Sequence, residues 1–329
     1  MKQTRLGKTD MYVNPIGLGC MGLSHASGTP TPKDEAVKIL REAYKIGYNF
    51  FDTAECYTGI NPDGSINYNE EVVGEAIKPF RDKVILCTKF GVTHKGDHLE
   101  FDSSPEKIRS SLEGSLKKLQ TDYIDIYYQH RIDPKVEPEV VAGVMKELIE
   151  KGKIKAWGIS ETTEEYLRRA HAVCPATVIE NRYSMMARWH EPIFKVCEEL
   201  GVTYVAFSPM ANGALTGAYK SKAVFGNGDQ DFRPNMPQYS EEGIKKTNEI
   251  VEFLETLAKK HNATTAQISL AWMINKKDYI IPIPGSRKVE RLQQNFDAGK
   301  IKLSAKEIKM IDDKLDTMEF MVFGGHAGK

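Results

Sequence analysis

Three things are scarce in this chain. Cysteine is the first: five residues among 329, Cys20, Cys56, Cys87, Cys174 and Cys197, with no C-x-x-C pair. No histidine stands at metal-ligand spacing from them, which argues against both a disulfide framework and a structural zinc. They are expected as small core residues, with Cys56 the one whose chemical modification would matter. Charge of one sign is the second: 45 basic and 45 acidic residues cancel, so no global field recruits nucleic acid or an acidic membrane. Long apolar runs are the third. None could cross a bilayer, and Met1-Lys-Gln-Thr-Arg-Leu6 lacks the core of a signal peptide, so a cytosolic location is expected. No composition shift or low-complexity linker marks a boundary, and residues 1–329 are expected to form a single domain.

What is present is alternation. Short apolar runs at Ile16-Gly-Leu18, Asn49–Asp52, Val84–Lys89, Tyr123–Gln129, Ile154–Ser160, Thr177–Glu180, Thr203–Ser208 and Tyr279–Ile283 read as eight strands. Between them lie segments of helical period. Lys33–Ile46 places Ala36, Val37, Leu40, Ala43 and Tyr44 on one face, and Ser104-Pro105 caps and starts the stretch to Leu119. Glu137–Glu150, Glu164–Ala172, Pro192–Leu200 and Glu242–His261 follow the same plan. Eightfold strand–helix alternation, with polar residues ending several different strands, predicts an α/β fold: a closed (β/α)8 barrel after a short N-terminal segment. A doubly wound open sheet is the competitor. The segment from Met210 to Ser240, rich in Gly, Asn, Pro and Lys, breaks the alternation after the seventh strand. It reads as a flap over the barrel mouth.

Gly17-Leu-Gly19-Cys-Met-Gly22 matches G-x-G-x-x-G. That motif needs a helix opening inside it to receive a pyrophosphate, and Leu23-Ser-His-Ala-Ser-Gly-Thr-Pro is not one. These glycines are expected to form a turn or to let backbone pass close to a neighbour.

The chemistry-bearing residues stand at strand ends. Asn49-Phe-Phe-Asp-Thr-Ala-Glu-Cys-Tyr57 puts Asp52 at the end of one apolar run and Tyr57 in the loop beyond. Lys89 ends the next run and His130 the one after. Each has an ordinary structural reading: an Asp–Lys pair as an internal tie, a loop tyrosine, a histidine at a strand end. Their joint placement at one end of a barrel points instead to carbonyl reduction. A carbonyl oxygen that receives a hydride needs a proton, and a tyrosine with a reference pKa of about 10 needs help to give one. Lys89 supplies a neighbouring ammonium, Asp52 holds it, and His130 orients the oxygen. Asp125 falls inside its strand and is expected to face a helix or the barrel interior; His94 and His98 lie in a charged loop and look solvated.

These residues, together with Ile16-Gly-Leu-Gly-Cys-Met-Gly22, Cys87-Thr-Lys-Phe-Gly91, Tyr123-Ile-Asp-Ile-Tyr-Tyr-Gln-His-Arg131, Ala156-Trp-Gly-Ile-Ser-Glu161, Phe207-Ser-Pro-Met210 and Ile283-Pro-Gly-Ser-Arg287, resemble the aldo-keto reductase family from end to end. Gly213–Gly217 is similar to the branch with a long loop after the seventh strand. The resemblance implies an NADPH-dependent oxidoreductase on a TIM barrel, with Asp52, Tyr57, Lys89 and His130 catalytic. It also implies cofactor contacts at Gly22 and, on the nicotinamide side, at Ser160 and Glu180, with Phe207 stacking on the ring. Ser208, Met210, Asn212, Gly213 and Leu215 would follow the pyrophosphate. Gly285, Ser286, Arg287 and Arg291 would surround the 2′-phosphate, and Gln294 and Asn295 the adenine. Three residues depart from the family's pattern: Glu180 stands where glutamine is usual, Glu161 close to the usual asparagine, and Phe207 in place of a frequent tyrosine, which leaves stacking intact. An ionised glutamate cannot donate a hydrogen bond to an amide carbonyl.

Physical reasoning supports the far end of that site, since Pro284-Gly-Ser-Arg-Lys288 brings a small turn and two cations to a helix start. The expected partner is a small-molecule carbonyl compound, with no metal; oligomeric state has no signature. Two other readings stand beside it: a barrel aldolase using Lys89 as a Schiff base, and a redox-sensing or regulatory subunit that binds NADPH but turns over slowly. Met21, Trp157 and the 210–240 flap are candidate pocket walls, whereas Tyr183, Met185 and Met186 are expected in the core.

Overall fold

A computed structural model describes residues 1–96, 98–221, 225, 228 and 230–324. Eight strands run parallel and pair in chain order: β1 (Leu18–Gly19), β2 (Phe50–Asp52), β3 (Ile85–Phe90), β4 (Ile124–Gln129), β5 (Ile154–Ser160), β6 (Val178–Arg182), β7 (Thr203–Phe207) and β8 (Ile280–Pro282). The two edges meet, where the Gly17 amide donates to Pro282 O at 3.0 Å, and the sheet curls into the expected barrel. Glycine is needed at this seam. A Cβ on Gly19 would lie 2.7 Å from Ile283 O, and one on Gly285 would lie 2.5 Å from Gly19 O. The glycines that mimic a dinucleotide motif therefore let the first strand approach the turn after the last.

Side chains alternate inward and outward along each strand, as the two-residue period requires. Phe50, Cys87, Ile126, Tyr128, Val178, Val205 and Ile281 fill the interior, and Leu6 and Val13 beside the N-terminal hairpin (Thr4–Arg5 with Tyr12–Val13) join them. Phe51, Leu86, Tyr127, Trp157, Ile179 and Tyr204 face outward into a second core beneath the helices. Full burial of such side chains contributes about 1.5–3 kcal/mol each.

The helices are α1 (Lys33–Ile46), α2 (Asn69–Ile77), α3 (Pro105–Leu119), α4 (Pro138–Glu150), α5 (Glu164–Val173), α6 (Phe194–Leu200), α7 (Glu241–Lys260), α8 (Thr265–Lys276), α9 (Val289–Asp297) and α10 (Ala305–Asp316). The Ser104 side chain caps α3 by accepting from Lys107 N, as its sequence predicts. The expected helix from Pro192 divides, its first turn being a tighter 3-10 turn at Glu191–Ile193. Amphipathic period does not reveal α2 and α8. α2 buries Asn69 and Glu70 along with its apolar residues, and α8 buries Thr265 and then Ile268 through Met273 without a break, so neither has a clean polar face.

The segment after β7 crosses the mouth. Gln230 accepts from Ile60 N at 2.7 Å and donates to Ile60 O at 2.8 Å, and Ser27 pairs with Asp231. The flap thus rests on the loops that follow β1 and β2; its residues 222–224, 226, 227 and 229 lie outside the described residues.

Candidate active site

Because β2 and β3 pair with Asp52 opposite Cys87, and Lys89 lies two residues further on the same inner face, both side chains rise toward the C-terminal mouth. Lys89 Nζ donates to Asp52 Oδ1 and, at 3.0 Å, to Thr53 O. It lies 3.4 Å from Glu180 Oε1, contributed by β6. All three residues are buried, Lys89 completely. The ammonium lies 5.3 Å from the centre of the Tyr57 ring. Tyr57 stands edge-on to His130, with ring centroids 5.7 Å apart. Asp52, Tyr57, Lys89 and His130 therefore do converge, at the ends of β2, β3 and β4.

Charge in this pocket is unevenly matched. Burial pulls the Lys89 ammonium toward neutrality, but Asp52 and Glu180 outweigh it and hold the lysine well above its ordinary value. Burial raises Asp52 despite its bond to Lys89. Burial, and then the charge of Asp52, pushes Glu180 up to about 8. Tyr57 corrects an expectation: Lys89 does favour the phenolate, yet burial is the larger effect and the phenol stands above its usual range. His130 is held far below its ordinary value by burial and then by the charges of Arg131 and Lys89, so its imidazole is neutral. Cys56 Sγ lies 3.4 Å from His130 Nδ1, and burial pushes that thiol up to about 12. If the protonated thiol donates to Nδ1, the neutral ring carries its own proton on Nε2. Such a thiol has little thiolate to react, contrary to the modification its sequence position suggests.

Ser160 ends β5 directly beside Glu180, and Phe207 ends β7. Beyond Phe207 the backbone takes positive φ at Ser208, Ala211, Asn212 and Gly213 (51°, 48°, 60° and 105°). Asn212 O is held by the Tyr239 hydroxyl at 2.8 Å, Gly213 N donates to Met210 O, and Leu215 is fully buried. On the far side Arg287 Nε donates to Gly22 O at 2.6 Å and Nη1 to Thr29 O at 2.8 Å, tying the turn after β8 to the loop after β1. Among the described residues, Arg287 Nη2 and Asn295 Nδ2 are buried donors with no partner, the condition expected where a phosphate and a heterocycle are to be received. Gly285, Arg291 and Gln294 are exposed and Ser286 half-buried. The residues present fit a dinucleotide phosphate carried from the flap to α9.

Two arginines were not anticipated. Arg131 donates to Ser160 Oγ at 3.1 Å and lies 5.9 Å from the Phe207 ring; Arg182 lies 4.8 Å from the same ring. Their position immediately after or at a strand end was the available signal. Glu161 is occupied locally, accepting from Arg182 N at 2.8 Å. Trp157 is no pocket wall, being fully buried outside the barrel with Nε1 bonded to Cys174 O. Tyr183, Met185 and Met186 are core residues, as expected. Asp125 faces outward to Arg81 and Lys155. His94 is exposed, yet its ring lies 4.9 Å from His25, which stacks on Tyr57.

The model of the Aldo/keto reductase family matches residues 15–316. Over 314 residues the chain is 37% identical to probable aldo-keto reductase 1 of Glycine max, covering 94% of this chain and 88% of that one. Over 315 residues it is 36% identical to aldo-keto reductase yakc [NADP(+)] of Schizosaccharomyces pombe, covering 93% and 90%. The glycerol dehydrogenase of Gluconobacter oxydans is similar in fold, with a TM-score of 0.84 and 25% identity over 96% of this chain and 95% of that one. With the barrel, the mouth and these relatives on one chain, the protein belongs to the aldo/keto reductase family and is an oxidoreductase.

Proposed function

We propose that this enzyme reduces aldehydes and ketones to alcohols, reversibly and with NADPH, at the Asp52–Tyr57–Lys89–His130 centre. The observation that carries this reading is a fully buried ammonium held by an aspartate beneath the ring of a half-buried tyrosine. Use of NADP(H) is further supported by the cofactor in the name of the fission-yeast relative.

Bound NADPH supplies the hydride. Ser160, Glu180 and Phe207 would hold its nicotinamide end, Gly22, Ser208, Met210, Asn212, Gly213 and Leu215 its middle, and Gly285, Ser286, Arg287, Arg291, Gln294 and Asn295 its adenosine end. Tyr57 gives its phenolic proton to the carbonyl oxygen as negative charge develops there. Lys89 stabilises the phenolate left behind, which lowers the barrier that burial raises. Asp52 fixes the ammonium in place. His130, neutral and presenting Nε2–H, donates to the same oxygen and orients it.

The aldolase reading is disfavoured by the same cluster. A Schiff-base lysine needs a lowered pKa, whereas Asp52 and Glu180 raise that of Lys89. The test is a titration with NADPH and NADH followed by fluorescence, then a panel of aldehydes with absorbance as the readout. Preferential NADPH binding with cofactor oxidation is expected. Binding without turnover on any aldehyde would favour the regulatory reading, and no binding of either cofactor would discard the proposal.

A further inference from the structure

Two carboxyl groups compete for one ammonium inside the barrel. Lys89 Nζ contacts Asp52 Oδ1 and lies 3.4 Å from Glu180 Oε1. Among the described residues, Asp52 Oδ2 and Glu180 Oε2 are buried without a conventional partner. Two ionised carboxylates on a single cation would leave a net negative charge out of water, which is strongly disfavoured; one proton on the pair removes it. We propose, resting on the reading above, that Glu180 holds that proton in common with Asp52 at neutral pH and releases it to water in mild alkali, so that the wall beside Ser160 changes charge and with it the preference between oxidised and reduced cofactor.

The surroundings single out this pair. The titratable groups facing Glu180 are Asp52 on β2, Cys87 and Lys89 on β3, Tyr57 in the loop after β2, and Tyr128 on β4. Cys87, Tyr128 and Tyr57 are raised and stay neutral, and Lys89 is raised and stays charged. Arg182, lowered by burial to about 10, keeps its charge in mild alkali. His25, His94 and His130 are lowered and stay neutral. Glu180, pushed up to about 8 by burial and then by Asp52, is left to titrate as one half of a coupled pair. While that proton bridges the two carboxyls it is not free for a nicotinamide carbonyl, so Glu180 can only accept from the carboxamide NH2 and does not reproduce a glutamine. Once ionised it attracts the cationic oxidised nicotinamide and not the neutral reduced one. By linkage, the oxidised cofactor favours loss of the proton.

The experiment is a pair of binding titrations, NADP+ and NADPH, on wild type and Glu180→Gln at several pH values from about 7 to about 9. The 2′-phosphate is common to both cofactors and cancels in their ratio. Kd(NADPH)/Kd(NADP+) is expected to rise about tenfold or more across this range in wild type and to stay flat in the variant. A flat wild-type ratio, or an equal rise in Glu180→Gln, would overturn the inference. Infrared spectroscopy gives a readout that needs no cofactor. A protonated-carboxyl stretch should be present in wild type at about pH 7, diminished at about pH 9, and missing from Glu180→Gln. Its absence from wild type at neutral pH overturns the proposal even if the variant does not fold. If neither cofactor binds, the proposed function fails while this spectrum still judges the proton on Glu180.

Discussion

Asp52 and Asp125 are both buried aspartates on barrel strands, and they sit on opposite faces of the sheet. Asp125 points outward, with Arg81 Nη1 at 2.7 Å, Lys155 Nζ at 2.8 Å and the Leu86 amide at 3.0 Å. Two cations serve one carboxylate there, beneath the helices. Asp52 points inward, where one cation serves two carboxylates and a tyrosine stands above it. A carboxylate with surplus partners anchors structure. One in a cluster short of positive charge has a protonation state that can change, and such a place suits chemistry.

Lys89→Met should break the contrast most severely. It strands Asp52 and Glu180 without a cation, so stability is expected to fall by about 3–5 kcal/mol and turnover by roughly 10³-fold, measured by denaturant unfolding and steady-state kinetics. The stability loss should shrink in acid, where both carboxyls protonate. Asp125→Ala should cost about 3 kcal/mol but leave kcat/KM per folded molecule near wild type; a large kinetic loss would erase the distinction between the two aspartates.

Glu180→Gln sharpens the comparison through pH. The folded pKa of Glu180, near 8, exceeds the unfolded value of about 4.3. Between these values the folded chain keeps a proton that the unfolded chain has released, so wild-type stability declines as pH rises through this window. The variant lacks this loss, and thermal unfolding should show it gaining on wild type by about 2 kcal/mol between pH of about 5.5 and about 7, at about 1.4 kcal/mol per pH unit. The smallest effect is expected at the adenosine end. Arg287→Ala should weaken NADPH by about tenfold and NADH by less, as read by fluorescence titration.

The barrel was legible because alternation and strand-end polarity are properties of sequence order. Lys33–Ile46 reads as a helix from its apolar face alone. α8 does not, because a helix buried on every side has no polar stripe to reveal it. The strand-end residues Asp52, Lys89 and His130 could be located by counting along apolar runs, since strand direction carries them to one mouth. The charge balance could not be counted in this way. That Glu180 reaches Lys89 depends on β3 and β6 facing each other across the barrel, and that burial outweighs Lys89 at Tyr57 depends on depth. Trp157 illustrates the opposite failure: one residue of register separates the interior from the helix-facing core.

The proposed reaction turns on Tyr57 delivering the proton under the influence of Lys89. The direct measurement is single-turnover oxidation of bound NADPH by an aldehyde that wild type reduces, comparing wild type with Tyr57→Phe. Tyr57→Phe should bind NADPH as wild type does and transfer hydride more slowly by roughly 10²-fold or more. A variant that binds NADPH and transfers hydride at the wild-type rate would contradict that role of Tyr57.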